Sequence, residues 1–353
     1  MKKGIWIDDQ WYSREKILYS DIKPDLLDTD IYSFLKEWYN QKNHVEALTS
    51  GSTGSPKTIQ LKKTYATASA RATLDFFSIP HGATALLSLP VRYIAGRMMV
   101  IRALVGKLRL YTTPPASHPH IPDKNIDFAA FTPHQFYHIS GSSDKMKDLN
   151  IKTIILGGSP VTSDILERAS GFGGEIYETF GMTETYSHIA LRPLYPRVSN
   201  WFRAVPGVHF RSEEGHLIID APHLGIHALK TNDQIQLKSK TEFQWLGRSD
   251  FVINSGGIKI FPETIEKKLA KTFSSPFFIT GIPHPSLGEQ VALVLEKGQI
   301  ESFQEKESIF NRKLSKYEKP RTAIYVHRIV KTATGKINRS ATLQKDNIFH
   351  ESK

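Results

Sequence analysis

The chain has 353 residues, of which 40% are hydrophobic and 23% charged, a balance that fits a folded protein and excludes a wholly disordered one. It contains no cysteine, which removes disulfides, zinc–thiolate sites, iron–sulfur clusters and a cysteine nucleophile from consideration. The net charge is +11, and residues 251–353 supply +7 of it through 17 basic and 10 acidic side chains. Within that third, residues 311–339 hold nine basic groups against the single Glu318. Such a stretch attracts the phosphates of nucleic acid or of a nucleotide-like small molecule, or forms a solvated helix face. No apolar run reaches the roughly 18 residues of a membrane span, since residues 93–106 are interrupted by Arg97 and Arg102. The basic start turns acidic at Asp8 before an apolar h-region forms, so no secretory signal and a cytoplasmic location are expected.

In chain order, residues 31–39 carry helical spacing, a Ser/Thr/Gly cluster follows at 49–54, and 58–77 reads as helix. Strand-like runs come next at 83–89, 108–112, 128–131, 153–156 and 175–180, separated by helical patterns at 94–105 and 162–169. A Pro-rich loop covers 113–122. Strand–helix alternation predicts a layered α/β domain with a largely parallel sheet. After about residue 205, short alternating runs at 216–220, 234–238 and 243–246 read as a small antiparallel β subdomain. A small α+β unit is expected beyond it. Its parts are residues 251–260, a helix over 262–273 with Pro262 at its start, strands at 277–280 and 291–295, a charged helix over 301–315 and a strand at 322–326. The expected domains are 1–249 and 250–353, with the boundary at Arg248 to Asp250.

Four segments could carry chemistry. In LTSGSTGSPK, residues 48–57, glycines let backbone N–H groups converge, hydroxyls add donors and Lys57 adds charge, as a phosphate cradle requires. A flexible linker has the same composition. A Walker A loop, and with it a P-loop phosphotransferase, is disfavoured because Pro56 stands where that pattern needs glycine. In ETFGMTET, residues 178–185, an aromatic, a threonine and a carboxylate follow a strand; ligands of open α/β sheets bind at such carboxyl ends. An aspartate at 233 and Arg248, each just past a strand-like run, could serve a sugar or phosphate. The basic loop KTATGKINR, residues 331–339, is the fourth.

In their order, these segments resemble the signature set of the adenylate-forming superfamily, which includes acyl- and aryl-CoA synthetases, peptide-synthetase adenylation domains and luciferases. LTSGSTGSPK is similar to its phosphate loop, Gly157-Gly158-Ser159-Pro160 to its adenine-side turn, and TFGMTE to its aromatic-Gly-x-Thr-Glu segment. WLGRSDFVINSGGIKIFPETIE resembles its hinge and following loop, and TATGKINR its C-terminal lysine loop. The resemblance implies a carboxylate attacking the α-phosphate of ATP, followed by displacement of AMP by a thiol. It also implies Mg2+ and coenzyme A as cofactors.

By motif position, Thr49, Ser50, Gly51, Ser52, Thr53, Gly54 and Lys57 would hold the β- and γ-phosphates. Gly158 and Ser159 would flank adenine, Phe180 would stack on it, and Gly181 would belong to the same binding segment. Thr183 would contact the α-phosphate, Glu184 would hold Mg2+, and Asp233 and Arg248 would bind ribose. Lys336 would bridge carboxylate and α-phosphate, Asp250 would be the hinge, and Gly256, Gly257 and Lys259 would serve thioester formation.

LPVRYIAG, residues 89–96, resembles the family's LPxxHxxG segment with Tyr93 in place of histidine, and Asn254 to Gly257 with Pro262-Glu263 resembles the o-succinylbenzoate–CoA ligases of menaquinone synthesis. That substrate has two carboxylates, so a cation or donors must meet the unreactive one; Arg92, Tyr93, Arg97, Ser187 and His188 are the candidates. The resemblance leaves open another acyl or aryl acid, and a carrier-protein thiol as acceptor. The 47 residues before the phosphate loop are far fewer than the family's usual span, so a reduced first subdomain is expected, with a homodimer as one way of covering its surface. A nucleic-acid partner, the alternative from a different class, lacks any of the familiar binding motifs.

Overall fold

The computed structural model describes residues 3–48, 58–141, 146, 149–159, 161–297, 303–331 and 337–348. The chain builds a long mixed sheet from β1 (Gly4–Ile7), β2 (Gln10–Ser13), β5 (Thr84–Leu87), β6 (Arg109–Thr112), β7 (Ile126–Phe131), β8 (Ile151–Leu156) and β9 (Glu175–Gly181). It continues through β10 (His188–Tyr195), β11 (Trp201–Ala204), β12 (His209–Glu213), β13 (His216–Ala221), β14 (Ile226–Ser239) and β15 (Glu242–Arg248). Two strands stand apart from it as a hairpin, β3 (His44–Leu48) and β4 (Thr58–Lys62).

The spatial order is β12-β13-β14-β15-β11-β10-β9-β8-β7-β5-β6-β1-β2. From β9 through β8, β7, β5 and β6 to β1 every pairing is parallel, and from β10 outward to β12 every pairing is antiparallel. The parallel strands are short apolar runs because helices cover both faces. After α1 (Arg14–Tyr19) and α2 (Thr29–Tyr39), helix α3 (Lys63–Phe76) packs on α4 (Ile94–Gly106) in one core, which includes Phe128, Met99 and Leu191. A second core, holding Phe131, Phe136 and Ile154, takes α5 (Pro133–Ser140) and α6 (Ser163–Arg168) on the other side. The sequence expectation of an α/β layered sheet is met. The antiparallel strands, expected as a separate subdomain, continue the same sheet, because β10 returns alongside β9 without a crossover.

After Arg248 a short turn, Ser249–Phe251, leads into a second sheet of β16 (Ile253–Ser255), β17 (Ile258–Ile260), β18 (Phe277–His284), β19 (Gly288–Glu296) and β20 (Thr322–Val326). Helix α7 (Pro262–Leu269) buries Ile265 and Leu269 against it. Three helix expectations are corrected. Residues 58–62 form a strand paired with β3, so the helix begins at Lys63. The helix after Pro262 ends at Leu269, and the charged helix is α8, Glu307–Lys313. In the first case Leu61 faces the core while Thr58, Gln60 and Lys62 face solvent, a period of two that a helical reading of the longer window hides.

Candidate active site

The carboxyl ends of β5, β7, β8 and β9 line one edge of the parallel sheet, and β5 is where the order reverses, with β6 on one side and β7 on the other. Such a reversal opens a crevice for ligands. Two of the sequence motifs lie there. Gly158, with φ +90°, follows β8 in a conformation suited to glycine, and half-buried Ser159 comes after it. Gly181 ends β9 so close to β10 that a Cβ would stand 2.3 Å from the Ser187 carbonyl oxygen. Phe180 packs on Phe243 and Phe202, with ring centroids 5.1 and 5.7 Å away, and is only partly buried. Thr183–Thr185 forms a single 3-10 turn held by Thr185, whose hydroxyl accepts from Met182 N at 3.0 Å. Glu184 is exposed on that turn.

The hairpin β3–β4 pairs Leu48 with Thr58, and Leu48 also bridges Tyr93. The stem of the segment containing Thr49, Ser50, Gly51, Ser52, Thr53, Gly54 and Lys57 therefore rises beside the 89–96 loop; those seven residues themselves, like Lys336, lie outside the described residues.

Farther along the sheet, Asp233 and Arg248 are cross-strand partners of β14 and β15. Asp233 is 6% exposed and accepts from Trp245 Nε1 at 2.9 Å. Burial raises its pKa, and the indole bond opposes that shift. Arg248 donates to Asp250 Oδ2 from Nη2 at 2.6 Å, and Asn232 Nδ2 donates to Asp250 Oδ1 at 3.0 Å. The predicted ribose arginine and hinge aspartate are thus bonded to each other. Gly257 lies in the turn between β16 and β17, and exposed Lys259 follows on β17.

The substrate candidates separate into two groups. Arg97 forms an ion pair with Glu37 at 2.7 Å, donates to the Val91 carbonyl at 3.1 Å and lies over Phe34. Exposed Arg92 lies over the Tyr93 ring, 5.4 Å from its centroid. Ser187 and His188, in contrast, meet an arginine that the sequence reading passed over. Arg102, 2% exposed on α4, donates from Nη2 to Ser187 Oγ at 2.7 Å. Ser187 Oγ is 3.4 Å from His188 Nδ1, His188 Nε2 is 3.0 Å from Thr73 Oγ1, and Thr73 donates to the Ser69 carbonyl at 3.2 Å. One assignment satisfies every group: each donates to the next, which puts the imidazole proton on Nε2. Burial and the Arg102 charge hold the His188 pKa well below its ordinary value, so the ring is neutral.

Arg102 forms no ion pair with an acidic side chain among the described residues, and its buried Nε has no partner. Burial alone pushes its pKa down to about 9, which still leaves it cationic at neutral pH. A buried cation without a counterion is costly. The signal for it in the sequence was the second of two arginines, Arg97 and Arg102, within an otherwise apolar helical run.

Among the described residues no group of three or more His, Asp or Glu is arranged to hold a metal ion. That is compatible with Mg2+, which binds through one or two carboxylates together with substrate phosphates. No described helix is long and apolar enough to cross a membrane.

An open α/β sheet with a glycine-bearing turn at its switch point is an architecture that binds nucleotides in many enzymes. The sequence profile described as AMP-binding enzyme matches residues 45–211. A solved structure from Dyadobacter fermentans, an acyl-CoA synthetase (AMP-forming)/AMP-acid ligase II-like protein, is 33% identical with a TM-score of 0.60. The alignment covers 90% of this chain and 93% of that one. The 2-succinylbenzoate–CoA ligase of Lactococcus lactis is 25% identical over 364 residues, 92% of this chain and 79% of the relative. The fold is also that of the Bacillus subtilis o-succinylbenzoate coenzyme A synthetase solved with ATP and magnesium, with a TM-score of 0.70 at 19% identity over 84% of this chain and 68% of that one. The chain belongs to the AMP-binding enzyme family, and with it to the AMP-forming acid–thiol ligases, which use ATP, Mg2+ and coenzyme A.

Proposed function

We propose that the chain ligates o-succinylbenzoate to coenzyme A through an acyl-adenylate. The observation that carries this reading is Arg102, a buried guanidinium with no acidic partner among the described residues, held by Ser187 directly behind the Thr183–Thr185 turn. A substrate with a second carboxylate supplies the missing counterion. The desolvation already spent on Arg102 then makes the charge-assisted bond strong and selective. Relatives named 2-succinylbenzoate–CoA ligase support the same acid.

In this reading one carboxylate oxygen of the acid attacks the α-phosphorus of ATP, the bond to the β-phosphate bridging oxygen breaks, and diphosphate leaves. A thiol then attacks the acyl carbon and AMP leaves. Thr49 to Lys57 bind the β- and γ-phosphates, Gly158, Ser159 and Phe180 flank adenine, and Thr183 bonds the α-phosphate. Asp233 and Arg248 bind ribose, and for Arg248 that requires loosening its bond to Asp250. Lys336 offsets charge between the two reactants, where a preorganised cation acts on the charge that develops. Mg2+ at Glu184 would neutralise phosphate charge. Residues 250–353 form the mobile unit, turning about Asp250 to bring Gly257 and Lys259 to the thioester step.

Diphosphate release with ATP and Mg2+ over o-succinylbenzoate, benzoate, a medium-chain fatty acid and several amino acids, with and without coenzyme A, tests the reading. Release confined to o-succinylbenzoate, with AMP and a CoA thioester as products, is expected. Release with another acid keeps the chemistry and discards the acid.

A further inference from the structure

Arg339 lies three residues beyond Lys336, and its side chain is only 12% exposed. Its Nη2 reaches the two carboxylate oxygens of Glu266 at 2.8 and 2.9 Å, and its Nη1 donates to the Ile279 carbonyl. Its guanidinium lies between two rings, 4.7 Å from the centroid of Phe251 and 5.3 Å from that of Phe278. Phe251 belongs to the turn Ser249–Phe251, next to the hinge candidate Asp250. A second route leads to the same place. Glu263 stands one helical turn before Glu266 on α7, with Oε1 at 4.0 Å from Arg339 Nη2. The same oxygen accepts from Arg248 N at 3.4 Å, while its Oε2 is buried against Gly247 without a hydrogen-bond partner. Two carboxylates thus share one guanidinium, and burial pushes the Glu266 pKa up to about 7.

The segment before Arg339 is closed at its base. Lys331 and Ile337 pair as an antiparallel bridge, Asn338 N donates to the Val330 carbonyl at 2.8 Å, and Val330 N donates to Thr342 Oγ1 at 3.0 Å. Whatever orients Arg339 therefore orients the base of the loop that carries Lys336.

We infer that Arg339 is a positioning residue that ties the residues flanking Lys336, namely Lys331 and Ile337-Asn338, to the hinge turn through Phe251, and that adenylation depends on this tie. This rests on the adenylation role read for Lys336. The planar guanidinium suits the seat because Nη2 holds the Glu266 carboxylate while Nη1 reaches the Ile279 carbonyl and the plane lies over aromatic rings; lysine cannot do all three.

The test compares wild type, Lys336→Ala, Arg339→Gln, Arg339→Lys, Glu266→Gln and the double variant Lys336→Ala/Arg339→Gln in ATP–diphosphate exchange, in thiolysis of supplied acyl-adenylate, and in trypsin cleavage after Lys331 and Lys336. Arg339→Gln is expected to lower the exchange kcat by roughly 100-fold, the scale set by misplacing a reacting group, with little change in the KM for ATP. Arg339→Lys and Glu266→Gln should fall in between and guard against a folding defect in the glutamine variant. On the Lys336→Ala background Arg339→Gln should cause no further loss, and the ratio of exchange to thiolysis should drop in the single variant. Cleavage in the loop should accelerate about tenfold, well below the Tm. Multiplicative losses in the double variant, equal losses in both half-reactions, or unaltered cleavage would each overturn the inference. A Lys336→Ala enzyme as active as wild type would remove the adenylation reading instead, and the cleavage rates would still decide whether Arg339 seats the loop.

Discussion

Arg102 and Ser187 are bonded at 2.7 Å across 85 residues of sequence, and the guanidinium engaged in that bond forms no ion pair with a described acidic side chain. A buried charge kept in this state destabilises the free protein, since replacing such charges by apolar groups of similar volume is neutral or stabilising by about 1–4 kcal/mol. Arg102→Met should therefore raise the Tm in the absence of substrate. The same change should lower kcat/KM for o-succinylbenzoate by roughly 10- to 100-fold, as loss of a hydrogen bond to a charged group implies, and leave benzoate little affected. Thermal denaturation with the two acids assayed in parallel checks this; a Tm that falls, or equal losses on both acids, would show that Arg102 serves the fold and not the acid.

Glu184 is exposed on the turn Thr183–Thr185 and no described hydrogen bond depends on its carboxylate. Glu184→Gln should leave the Tm within the small range typical of surface substitutions, about 0.5 kcal/mol in stability. The Mg2+ concentration for half-maximal diphosphate release should rise about tenfold, because a hard divalent cation loses an anionic oxygen ligand. An unchanged Mg2+ titration would remove Glu184 from the metal site.

The parts of the fold that were legible in the sequence are those whose pattern is local. The parallel strands read clearly because each is an apolar run such as Ile151–Leu156 ended by turn residues, and Thr322–Val326 stands where its β-branched and aromatic residues put it. The strand Thr58–Lys62 was lost because its inward residues are few and the helix after it starts without a side-chain cap. The motif positions could be found by resemblance, but the partners that give them their setting could not. Trp245 reaches Asp233 from twelve residues away, Arg339 reaches Glu266 from 73, and Arg102 meets Ser187 only in the folded chain. Burial of a charge is a tertiary property, and of the two arginines in this apolar run Arg102 reads equally well as an interruption.

Glu266 gives a pH dependence of stability whose sign follows from its raised pKa. Its ordinary value is 4.5 and burial lifts it to about 7 in the folded chain, against the opposing charge of Arg339. Between those values the folded state binds a proton that the unfolded state has released, so the contribution of Glu266 to stability is fully present below about pH 4.5 and is lost as pH rises through about 7. The wild type should therefore lose stability between pH 5 and 8 faster than Glu266→Gln, which lacks the titrating group. Urea titrations of both proteins at several pH values measure the difference. Parallel pH profiles would mean that Glu266 stays ionised against Arg339 throughout.

Trp245 should matter to nucleotide binding without touching the nucleotide. Its indole N–H, 2.9 Å from Asp233 Oδ1, fixes one oxygen of a carboxylate that is otherwise buried and costly to ionise. Trp245→Phe keeps the aromatic bulk in the half-buried position and removes only the donor. The Asp233 pKa should then rise further, because the bond that opposed the effect of burial is gone. Two consequences separate this from a general packing defect. The KM for ATP should increase by roughly tenfold, the lower end of what a charged hydrogen bond contributes, and the acid limb of kcat/KM for ATP should move to higher pH. With 2′-deoxy-ATP the ratio of variant to wild type should shrink, since a ribose lacking one hydroxyl draws less on the oriented carboxylate. An acid limb that stays in place, or a loss as large with the deoxynucleotide as with ATP, would place the role of Trp245 in the sheet and not at the sugar.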